Sequence, residues 1–399
     1  MKVAMLGWEF PPFMSGGLGI HCLELTTGLA SRGVDIDFYM PRMASKANPT
    51  PIADQHSHLR IIEVDADGGI GPYSSKGGTY EANFNRAVAN YNERLVENFA
   101  SPGADVLHCH DWITVPAALE LRRETGIPLV FTVHSTEFDR SGGFAPQSWI
   151  EDIERQGLHG ADRVIAVSRY TKDLLQQNYG IDAARVVPVH NGVDVSKFAS
   201  TKTRDYDAKR GTVLFLSRLT RQKGPLNFLK AARRVLEIRP EARFVVAGHG
   251  DMLGQCIDYA FANGIEESVQ FTGFVPAEDL ADAYAQNEIY VLPSLSEPFG
   301  ISVLEAMASG LPTIVSKTSG VGEGLAHVFK VGCEETDEMA DMIVGLLDSA
   351  PLREEMGRNG AAEIRRFTWA ASSANTLEVY RSVVAMPRQQ VLPPRLVLA

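Results

Sequence analysis

The chain of 399 residues is longer than one hydrophobic core usually supports, so its length favours two domains. Its 49 acidic and 38 basic residues leave a formal net charge of −11, and no cluster of Lys and Arg is present, which argues against a nucleic-acid partner. Hydrophobic residues make up 45 % of a composition typical of globular proteins, and no apolar run reaches the roughly eighteen residues that predict a transmembrane segment.

Apolar runs alternate with helical patterns through the first half of the chain, which predicts a parallel, doubly wound α/β sheet. The first predicted strand lacks the basic start and the cleavage site of a secretion signal, so we expect a cytoplasmic protein. The four cysteines have no paired spacing and are expected to be reduced thiols. The predicted strands cover residues 3–7, 36–40, 59–64, 106–108, 128–134 and 164–168, and the predicted helices include 24–31 and 81–99.

The pattern breaks near Asn191-Gly192-Val193-Asp194, where a polar stretch without periodicity begins. A second α/β series then follows. We therefore predict one domain over residues 1–192, a linker over 193–210, a second domain over 211–368, a final helix over 369–385 and a loose tail over 386–399. The strands predicted in the second series cover 212–216, 243–247, 269–272, 289–292 and 313–315, and its helices include 225–237 and 277–285.

A glycine-rich loop lies between the first strand and the first helix and ends in Gly16-Gly17. Glycines allow a backbone to approach a phosphate closely, and the free amides at a helix start favour an anion. The spacing is not Gly-x-Gly-x-x-Gly. An ordinary tight turn is therefore the alternative interpretation of this loop.

Potential metal ligands occur together in His108-Cys109-His110-Asp111-Trp112. Strand alternation puts the two histidines on one side and Asp111 on the other, and a zinc site would need ligands from elsewhere, so we predict no metal here. His134 ends a buried strand at the sheet edge that binds ligands in α/β proteins, where it can bond a sugar hydroxyl. A core histidine with satisfied hydrogen bonds is the alternative.

Arg218 and Lys223 lie between the first strand of the second domain and a helix whose Pro225 suits its first position. Two cations at this edge can neutralise a diphosphate leaving group without a metal ion. The alternative is a solvated basic loop, because most Lys and Arg side chains are on the surface.

The most informative stretch runs from Glu297 to Glu305. Pro298 and Gly300 prevent a continuous helix through Glu297, whereas residues 302–308 favour one, so Glu297 lies in a loop and Glu305 one to two turns inside the helix. A fully helical stretch would separate the carboxylates by roughly 12 Å. This is awkward for a glycosidase pair, which needs about 5 to 9.5 Å, so we interpret the two as contacts for opposite ends of one long ligand.

Amides around Phe299, Gly300 and Ile301 are expected to be free at the start of this helix, where they favour a phosphate or sugar oxygen. A turn cap at Glu297 and a solvated Glu305 form the alternative interpretation. Apolar neighbours and flanking buried strands argue against it, because they place the loop at the carboxyl end of a strand.

Together these motifs resemble the retaining glycosyltransferases of the GT-B fold, known as group 1 or family 4, which include sucrose-phosphate synthases and glycogen-synthase-like enzymes. The Glu-x7-Glu stretch is the most specific motif, and the others follow in the expected order over nearly the whole chain. The resemblance implies two Rossmann-like domains facing each other across a cleft. It also implies that the final helix crosses back onto the first domain.

The resemblance assigns Glu297 to hydroxyls of the transferred sugar, Glu305 to the ribose, and Arg218 with Lys223 to the diphosphate. It implies front-face displacement with retention, no protein nucleophile and no metal cofactor. The remaining implied contacts are amides of the Gly16-Gly17 loop and of Phe299, Gly300 and Ile301 for sugar or phosphate oxygens, His134 for the sugar, the backbone near Phe274 and Val275 for the base, and Asp111 on the acceptor side.

The loop after the first strand looks most like the glycogen-synthase side of the family, with a glucosyl donor. Those synthases usually carry Lys two residues before the paired glycines, whereas this chain has Met14. The donor is therefore expected to be either a UDP-linked or an ADP-linked hexose, and the acceptor a sugar or a glycan. We expect the protein to be a monomer or a homodimer. The alternatives are an enzyme like the UDP-N-acetylglucosamine epimerases, which share the architecture, and a catalytically silent sugar-nucleotide binding protein.

Overall fold

Two parallel β-sheets form the framework of the protein in the computed structural model, which describes residues 1–13, 16–42, 57–66, 82–144, 146–198 and 211–386. The first sheet contains β1 (Lys2–Leu6), β2 (Asp35–Pro41), β3 (Leu59–Val64), β4 (Val106–His110), β5 (Leu129–Val133), β6 (Arg163–Ala166) and β7 (Val186–Pro188). The second contains β8 (Thr212–Leu216), β9 (Arg243–Ala247), β10 (Val269–Gly273), β11 (Ile289–Leu292), β12 (Thr313–Ser316) and β13 (Phe329–Val331).

Helices connect the strands and cover the sheets. They are α1 (Gly17–Ala30), α2 (Ala82–Glu97), α3 (Val115–Thr125), α4 (Glu137–Ser141), α5 (Ser148–Gly160), α6 (Arg169–Tyr179), α7 (Val195–Phe198), α8 (Pro225–Ile238), α9 (Leu253–Ala262), α10 (Leu280–Ala285), α11 (Ile301–Ala308), α12 (Thr336–Asp348), α13 (Ala350–Glu363) and α14 (Trp369–Val384). Within the described part of the chain, none of them is both long and apolar enough to cross a membrane.

Strand order is the same in the two sheets, apart from one extra strand in the first. It is β3-β2-β1-β4-β5-β6-β7 in the first sheet and β10-β9-β8-β11-β12-β13 in the second. The order reverses between β1 and β4 and again between β8 and β11. Open α/β sheets bind ligands at such switch points, beyond the carboxyl ends of the strands.

The predicted α/β class and both doubly wound sheets are confirmed. The short edge strands β7 and β13 were not predicted, because three residues carry too little periodicity to be recognised. The predicted linker is described only as far as residue 198, where it forms α7, and again from residue 211. The tail predicted over 386–399 lies outside the described residues except for Met386.

Central strands are buried along their whole length, as expected for parallel strands covered by helices on both faces. All residues of β4, β5, β11 and β12 are buried. Most are aliphatic or aromatic, but β4 carries His108 and His110, which are both fully buried. The core of the first sheet therefore includes polar rings that need partners inside the protein.

Helix α14 returns the chain to the first sheet, where it packs against α1. The Tyr380 hydroxyl lies 2.6 Å from His108 Nδ1, and Arg32 Nη2 donates to the Ala370 carbonyl at 2.7 Å. Thr368 caps the start of α14 by accepting a hydrogen bond from the Ala371 amide. The last helix therefore packs against the first helix and the first sheet.

The two halves touch directly at the loop that follows β11. Ser168 caps α6 and also donates to the Pro298 carbonyl oxygen at 2.6 Å. The Glu323 carboxylate accepts hydrogen bonds from the amides of Arg169 and Tyr170 at 2.8 and 2.9 Å, at the start of α6. A carboxylate is favoured at this position because a helix start presents free amides and a positive dipole end.

We predict that Gly192→Ala destabilises the protein, because a β-carbon there would lie 2.3 Å from the Trp369 backbone nitrogen at the start of α14. Overpacking against a backbone that cannot move away costs about 1 to 3 kcal/mol. Denaturant unfolding should detect this loss. As the matched control, Gly254→Ala on α9 meets no atom within 4 Å and should keep or slightly raise stability. Equal stability of Gly192→Ala and the wild type would contradict the tight packing at this crossing.

Candidate active site

A buried ion pair occupies the switch point of the second sheet. Lys223 Nζ donates to Glu297 Oε2 at 2.7 Å, and the two side chains are only 11 % and 7 % exposed. Lys223 ends a 3-10 turn after β8, and Glu297 lies in the loop after β11. The two charged residues therefore lie in the loops that follow the neighbouring strands β8 and β11, on opposite sides of the switch point.

Backbone contacts between the two loops fix this pairing. The Leu295 amide donates to the Gln222 carbonyl at 2.8 Å, and the Gln222 side-chain amide donates to the Ser296 carbonyl at 3.1 Å. Gly224 has a φ of 69° and lies so close to Pro293 that a β-carbon would be 2.2 Å from the Pro293 carbonyl oxygen. Only glycine fits that approach without strain.

The Glu297 carboxylate has a second donor in Ser294, whose hydroxyl lies 3.1 Å from Oε2. Its own backbone is held by Thr318 and Gly320, since the Glu297 amide donates to the Thr318 carbonyl and its carbonyl accepts from Gly320. Gly300, with a φ of 103°, then turns the chain into α11. The predicted loop and helix at this motif are thus present as expected.

Glu305 lies inside α11 and is also buried. The Tyr284 hydroxyl donates to its Oε2 at 2.9 Å. Burial raises the pKa of Glu305 to about 7, although the Tyr284 hydrogen bond and the charge of Lys197 oppose this. A buried carboxylate with a single described donor has spare acceptor capacity, as a contact for ligand hydroxyls requires.

Arg218 is half-buried in the loop after β8, the same loop that carries Lys223. That loop is anchored to the neighbouring one by the Leu219 amide, which donates to the His249 carbonyl at 2.8 Å. Arg218 and Lys223 thus lie on the same loop, which leads into the switch point of the second sheet.

The start of α1 faces the start of α11 across the cleft. A β-carbon on Gly17 would lie 3.5 Å from Cδ1 of Ile301, whereas one on Gly16 would meet nothing within 4 Å. The first amides of a helix have no partner within it, so two sets of donors are presented close together. This arrangement suits a ligand rich in oxygen atoms that bridges the two halves.

Phe274 and Val275 are the predicted residues that the structure separates most clearly from this centre. They follow β10, the outermost strand of the second sheet, and β9 and β8 lie between that strand and β11. Three strand spacings correspond to about 14 Å. Phe274 is 63 % exposed, which leaves its ring accessible to a ligand at that edge.

On the first sheet, Asp111 and His134 follow the adjacent strands β4 and β5. Asp111 Oδ1 accepts from the His134 amide at 2.8 Å, and burial raises the pKa of Asp111 to about 6. Its φ of 55° with ψ of 172° is a region that residues other than glycine rarely adopt. Strain of this kind concentrates at functional sites, so the geometry favours a functional position for Asp111.

Four histidine rings are grouped beneath this edge. His134 Nε2 lies 3.0 Å from His110 Nδ1, and the ring centroids of His134 and His21 are 4.3 Å apart. The His108 ring is tilted against that of His110, with centroids 4.2 Å apart, and its nitrogens form hydrogen bonds with the Tyr380 and Thr132 hydroxyls. Burial lowers the pKa of all four, to about 3 for His134.

Sequence reasoning missed His21 as a member of this group. The residue lies one helical turn after Gly17, so its nearness to the glycine-rich loop was the available signal. Its contact with β4 and β5 arises only when α1 packs on the sheet.

Two family models match consecutive parts of the chain, which together cover residues 15–363. Glycosyltransferase Family 4 matches residues 15–197, and Glycosyl transferases group 1 matches residues 198–363. An uncharacterized glycosyltransferase of Methanocaldococcus jannaschii is 30 % identical over 405 residues, covering 97 % of this chain and 99 % of the relative. A glycogen synthase of Mycobacterium tuberculosis is 27 % identical, with 98 % of this chain and 96 % of that protein covered.

Solved structures show the same fold. Sucrose-phosphate synthase from Thermosynechococcus elongatus superposes with a TM-score of 0.80 at 20 % identity, covering 96 % of this chain and 99 % of the other. Anabaena HepE in complex with UDP-glucose gives a TM-score of 0.74 at 18 % identity, covering 96 % and 100 %. The two doubly wound halves therefore define a GT-B fold. By its relatives, the chain belongs to the glycosyltransferases.

We predict that Glu305→Gln gains stability relative to the wild type as the pH rises. Native Glu305 binds a proton up to a pH of about 7, whereas the unfolded carboxyl releases it near its ordinary pKa of 4.5, so the wild type loses stability across that window. Each pKa unit corresponds to about 1.4 kcal/mol. The gap in unfolding free energy between variant and wild type should therefore move by about 2 to 3 kcal/mol in favour of the variant from pH 5 to pH 8.

Urea unfolding at the two pH values measures this shift. Glu355→Gln, which removes an exposed carboxylate on α13, serves as the control for a general effect of charge removal. A Glu305→Gln gap that does not change with pH would contradict the raised pKa.

Proposed function

We propose that this protein is a retaining glycosyltransferase that moves a hexosyl group, with glucosyl as the first candidate, from a UDP- or ADP-linked sugar to a sugar or glycan hydroxyl. The observation that carries the proposal is the buried Lys223–Glu297 pair at the switch point of the second sheet. No metal cofactor is required in this proposal. The cytoplasmic location and the monomeric or homodimeric state stay predictions from the sequence.

The donor lies along the second sheet, with its transferred sugar and its ribose at the two glutamates. Glu297 accepts hydrogen bonds from hydroxyls of the transferred sugar, and Glu305 accepts them from the ribose. Lys223 and Arg218 contact the diphosphate between these two groups, assisted by the amides that begin α11. The base lies toward Phe274 and Val275, at the outer edge of the sheet.

Burial strengthens the interaction between the basic side chains and a bound diphosphate. Charge–charge interactions are several times stronger in a site that excludes water than in bulk solvent. Lys223 already neutralises Glu297, so a bound diphosphate adds a second anion beside the same ammonium group. Because negative charge grows on the leaving phosphate in the transition state, this contact strengthens as the reaction proceeds.

The acceptor approaches from the first sheet, at the strand ends that carry Asp111 and His134. Its hydroxyl oxygen forms the new bond to the anomeric carbon on the face from which the diphosphate departs. The bond between that carbon and the phosphate oxygen breaks, and the acceptor proton passes to the departing phosphate. Configuration is therefore retained, and no side chain acts as the nucleophile.

Relatives support a sugar-nucleotide donor. Alongside the glycogen synthase, a D-inositol 3-phosphate glycosyltransferase of Paenarthrobacter aurescens is 28 % identical over 391 residues. The HepE structures contain UDP, UDP with glucose, or UDP-glucose. The relatives are named as different glycosyltransferases, and Met14 stands where glycogen synthases usually have Lys. We therefore propose UDP-sugars and ADP-sugars as alternative donors. Met14 itself lies outside the described residues.

Replacing either member of the ion pair should abolish transfer. We expect Lys223→Met and Glu297→Gln each to lower kcat by at least about a hundredfold, since each removes a contact that acts in the transition state. Steady-state kinetics with the best donor measures the loss.

Stability must be measured on the same variants, because a single buried charge left without its partner costs about 3 to 5 kcal/mol. The double variant Lys223→Met/Glu297→Gln removes both charges and should recover stability relative to Lys223→Met while staying inactive. Recovery of activity together with stability would show that the pair is only structural and would overturn the site assignment.

A donor panel tests the function itself. UDP-, ADP- and GDP-glucose are offered with glycogen, maltooligosaccharides and simple sugars, with and without added Mg²⁺ or Mn²⁺. We expect nucleotide release coupled to an α-linked product whose anomeric configuration, read by NMR, matches that of the donor. The added cations should leave the rate unchanged. An inverted product, an epimerised sugar with free UDP, or a strict need for Mn²⁺ would each contradict the proposal.

A further inference from the structure

A buried carboxylate of the first half forms a hydrogen bond with the loop that carries Glu297 in the second half. Asp139 lies on α4 and is 1 % exposed, and its Oδ1 accepts a hydrogen bond from the Ser296 hydroxyl. Ser296 is itself buried and immediately precedes Glu297, 157 residues after Asp139. The contact therefore joins α4 to the candidate active site through one side chain from each half.

The other oxygen of Asp139 serves α4 itself. Oδ2 accepts hydrogen bonds from the Thr136 amide at 2.7 Å and from the Thr136 hydroxyl at 2.8 Å. With the Asp139 amide donating back to that hydroxyl, the two residues form a capping box at the helix start. The cap uses only Oδ2 as an acceptor, so it does not account for the contact of Oδ1 with Ser296.

Proton positions along this contact follow from the chemistry of the groups. An ionised carboxylate only accepts hydrogen bonds, so Ser296 donates its single hydroxyl proton to Asp139. The Tyr170 hydroxyl lies 2.9 Å from Ser296 Oγ and must then donate to it. Burial raises the pKa of Asp139, and the hydrogen bond from Ser296 is the largest of the contacts that oppose this rise. Both partners of the Ser296 hydroxyl thus belong to the first half.

The residue that follows Glu297 is also held from the first half. The Pro298 carbonyl oxygen accepts a hydrogen bond from the Ser168 hydroxyl at 2.6 Å, and the Thr171 hydroxyl lies 3.2 Å from the same oxygen. Glu297 therefore lies between two residues, Ser296 and Pro298, that both have partners in the first half. The backbone on each side of the carboxylate is fixed by contacts from across the cleft.

The turn that carries Lys223 has separate contacts that do not involve Asp139. The guanidinium carbon of Arg221, in the same turn, lies 3.9 Å from the centroid of the Phe144 ring, just after α4. The turn then runs directly into α8, which fixes its other end. Loss of the Asp139 contact should therefore release the loop of Glu297 while the Lys223 turn stays in place.

We propose that Asp139 is a positioning residue, which binds Ser296 and thereby holds Glu297 where its carboxylate meets the transferred sugar. The role of Glu297 in this proposal rests on the proposed function, whereas its position can be measured without any reaction. Glu297 takes its productive position only while the two halves are in contact. Closure of the cleft and completion of the sugar site are then one event.

Two variants remove the contact from opposite sides. Ser296→Ala deletes the hydroxyl and leaves the α4 cap intact, whereas Asp139→Ala deletes both the contact and the cap. If Asp139 only capped α4, Ser296→Ala would have no effect, so this variant separates positioning from a local role. Ser349→Ala is the matched control, because it removes a serine hydroxyl that caps α13 within the second half.

Hydrogen exchange measures the positioning without any reaction. The Glu297 amide donates to a backbone carbonyl, so it exchanges slowly while the loop keeps its place. We expect a peptide that covers residues 295–300 to exchange about five- to tenfold faster in Ser296→Ala and in Asp139→Ala than in the wild type. Ser349→Ala should leave this peptide unchanged and affect only the start of α13.

Kinetics then tests the consequence for the reaction. With a donor that the wild type uses, Ser296→Ala should lower kcat about 10- to 100-fold, because a misplacement of about 1 Å has an effect of this size. Calorimetric titration with UDP or ADP should give the wild-type stoichiometry and nearly the wild-type affinity, since Glu305 and the Lys223 turn keep their places. The double variant Asp139→Ala/Ser296→Ala should be no slower than the slower single variant, because both changes break one contact.

Unchanged exchange of residues 295–300 in Ser296→Ala that still binds nucleotide would overturn the inference. Faster exchange with an unchanged kcat would overturn it too. If Ser296→Ala does not fold, Tyr170→Phe replaces it, because this change removes only the second partner of the Ser296 hydroxyl. A wild type that transfers no sugar contradicts the proposed function instead, and hydrogen exchange then decides the positioning.

Discussion

The ion pair between Lys223 and Glu297 is the constraint on which the arrangement of the site depends. Two opposite charges buried this deeply are tolerated only when each neutralises the other, so their loops must keep a fixed separation. Fixing those loops also fixes the start of α11 and the position of Glu305 inside it. One buried pair thus sets the positions of the anionic and cationic contacts along the second sheet.

Parallel topology extends this order to both halves. Because every strand in each sheet runs the same way, the loops that carry functional residues all emerge at one edge. The two edges then meet where Ser168 bonds the Pro298 carbonyl, in the loop of the ion pair itself. The contact between the halves is therefore coupled to the candidate site, because a movement of one half would shift the loop that carries Glu297.

Much of the fold and part of the site could be predicted from local sequence. Apart from the short edge strands β7 and β13, the strands of both sheets are apolar runs of sufficient length, and Pro298 with Gly300 marked the boundary between loop and helix at Glu297. The Lys223–Glu297 contact could not be predicted, because 74 residues separate its partners and nothing in either motif specifies the other. His21 was missed for the same reason, since only the packing of α1 brings it to β4.

The sequence by itself determined the elements, their alternation and the residue types available at each strand end, because hydrophobic periodicity and the backbone limits of proline and glycine act over a few residues. Tertiary structure alone decided which side chains meet. Burial then changed their chemistry, as it raised the pKa of Glu305 and lowered that of His134, since desolvation depends on everything packed around a group.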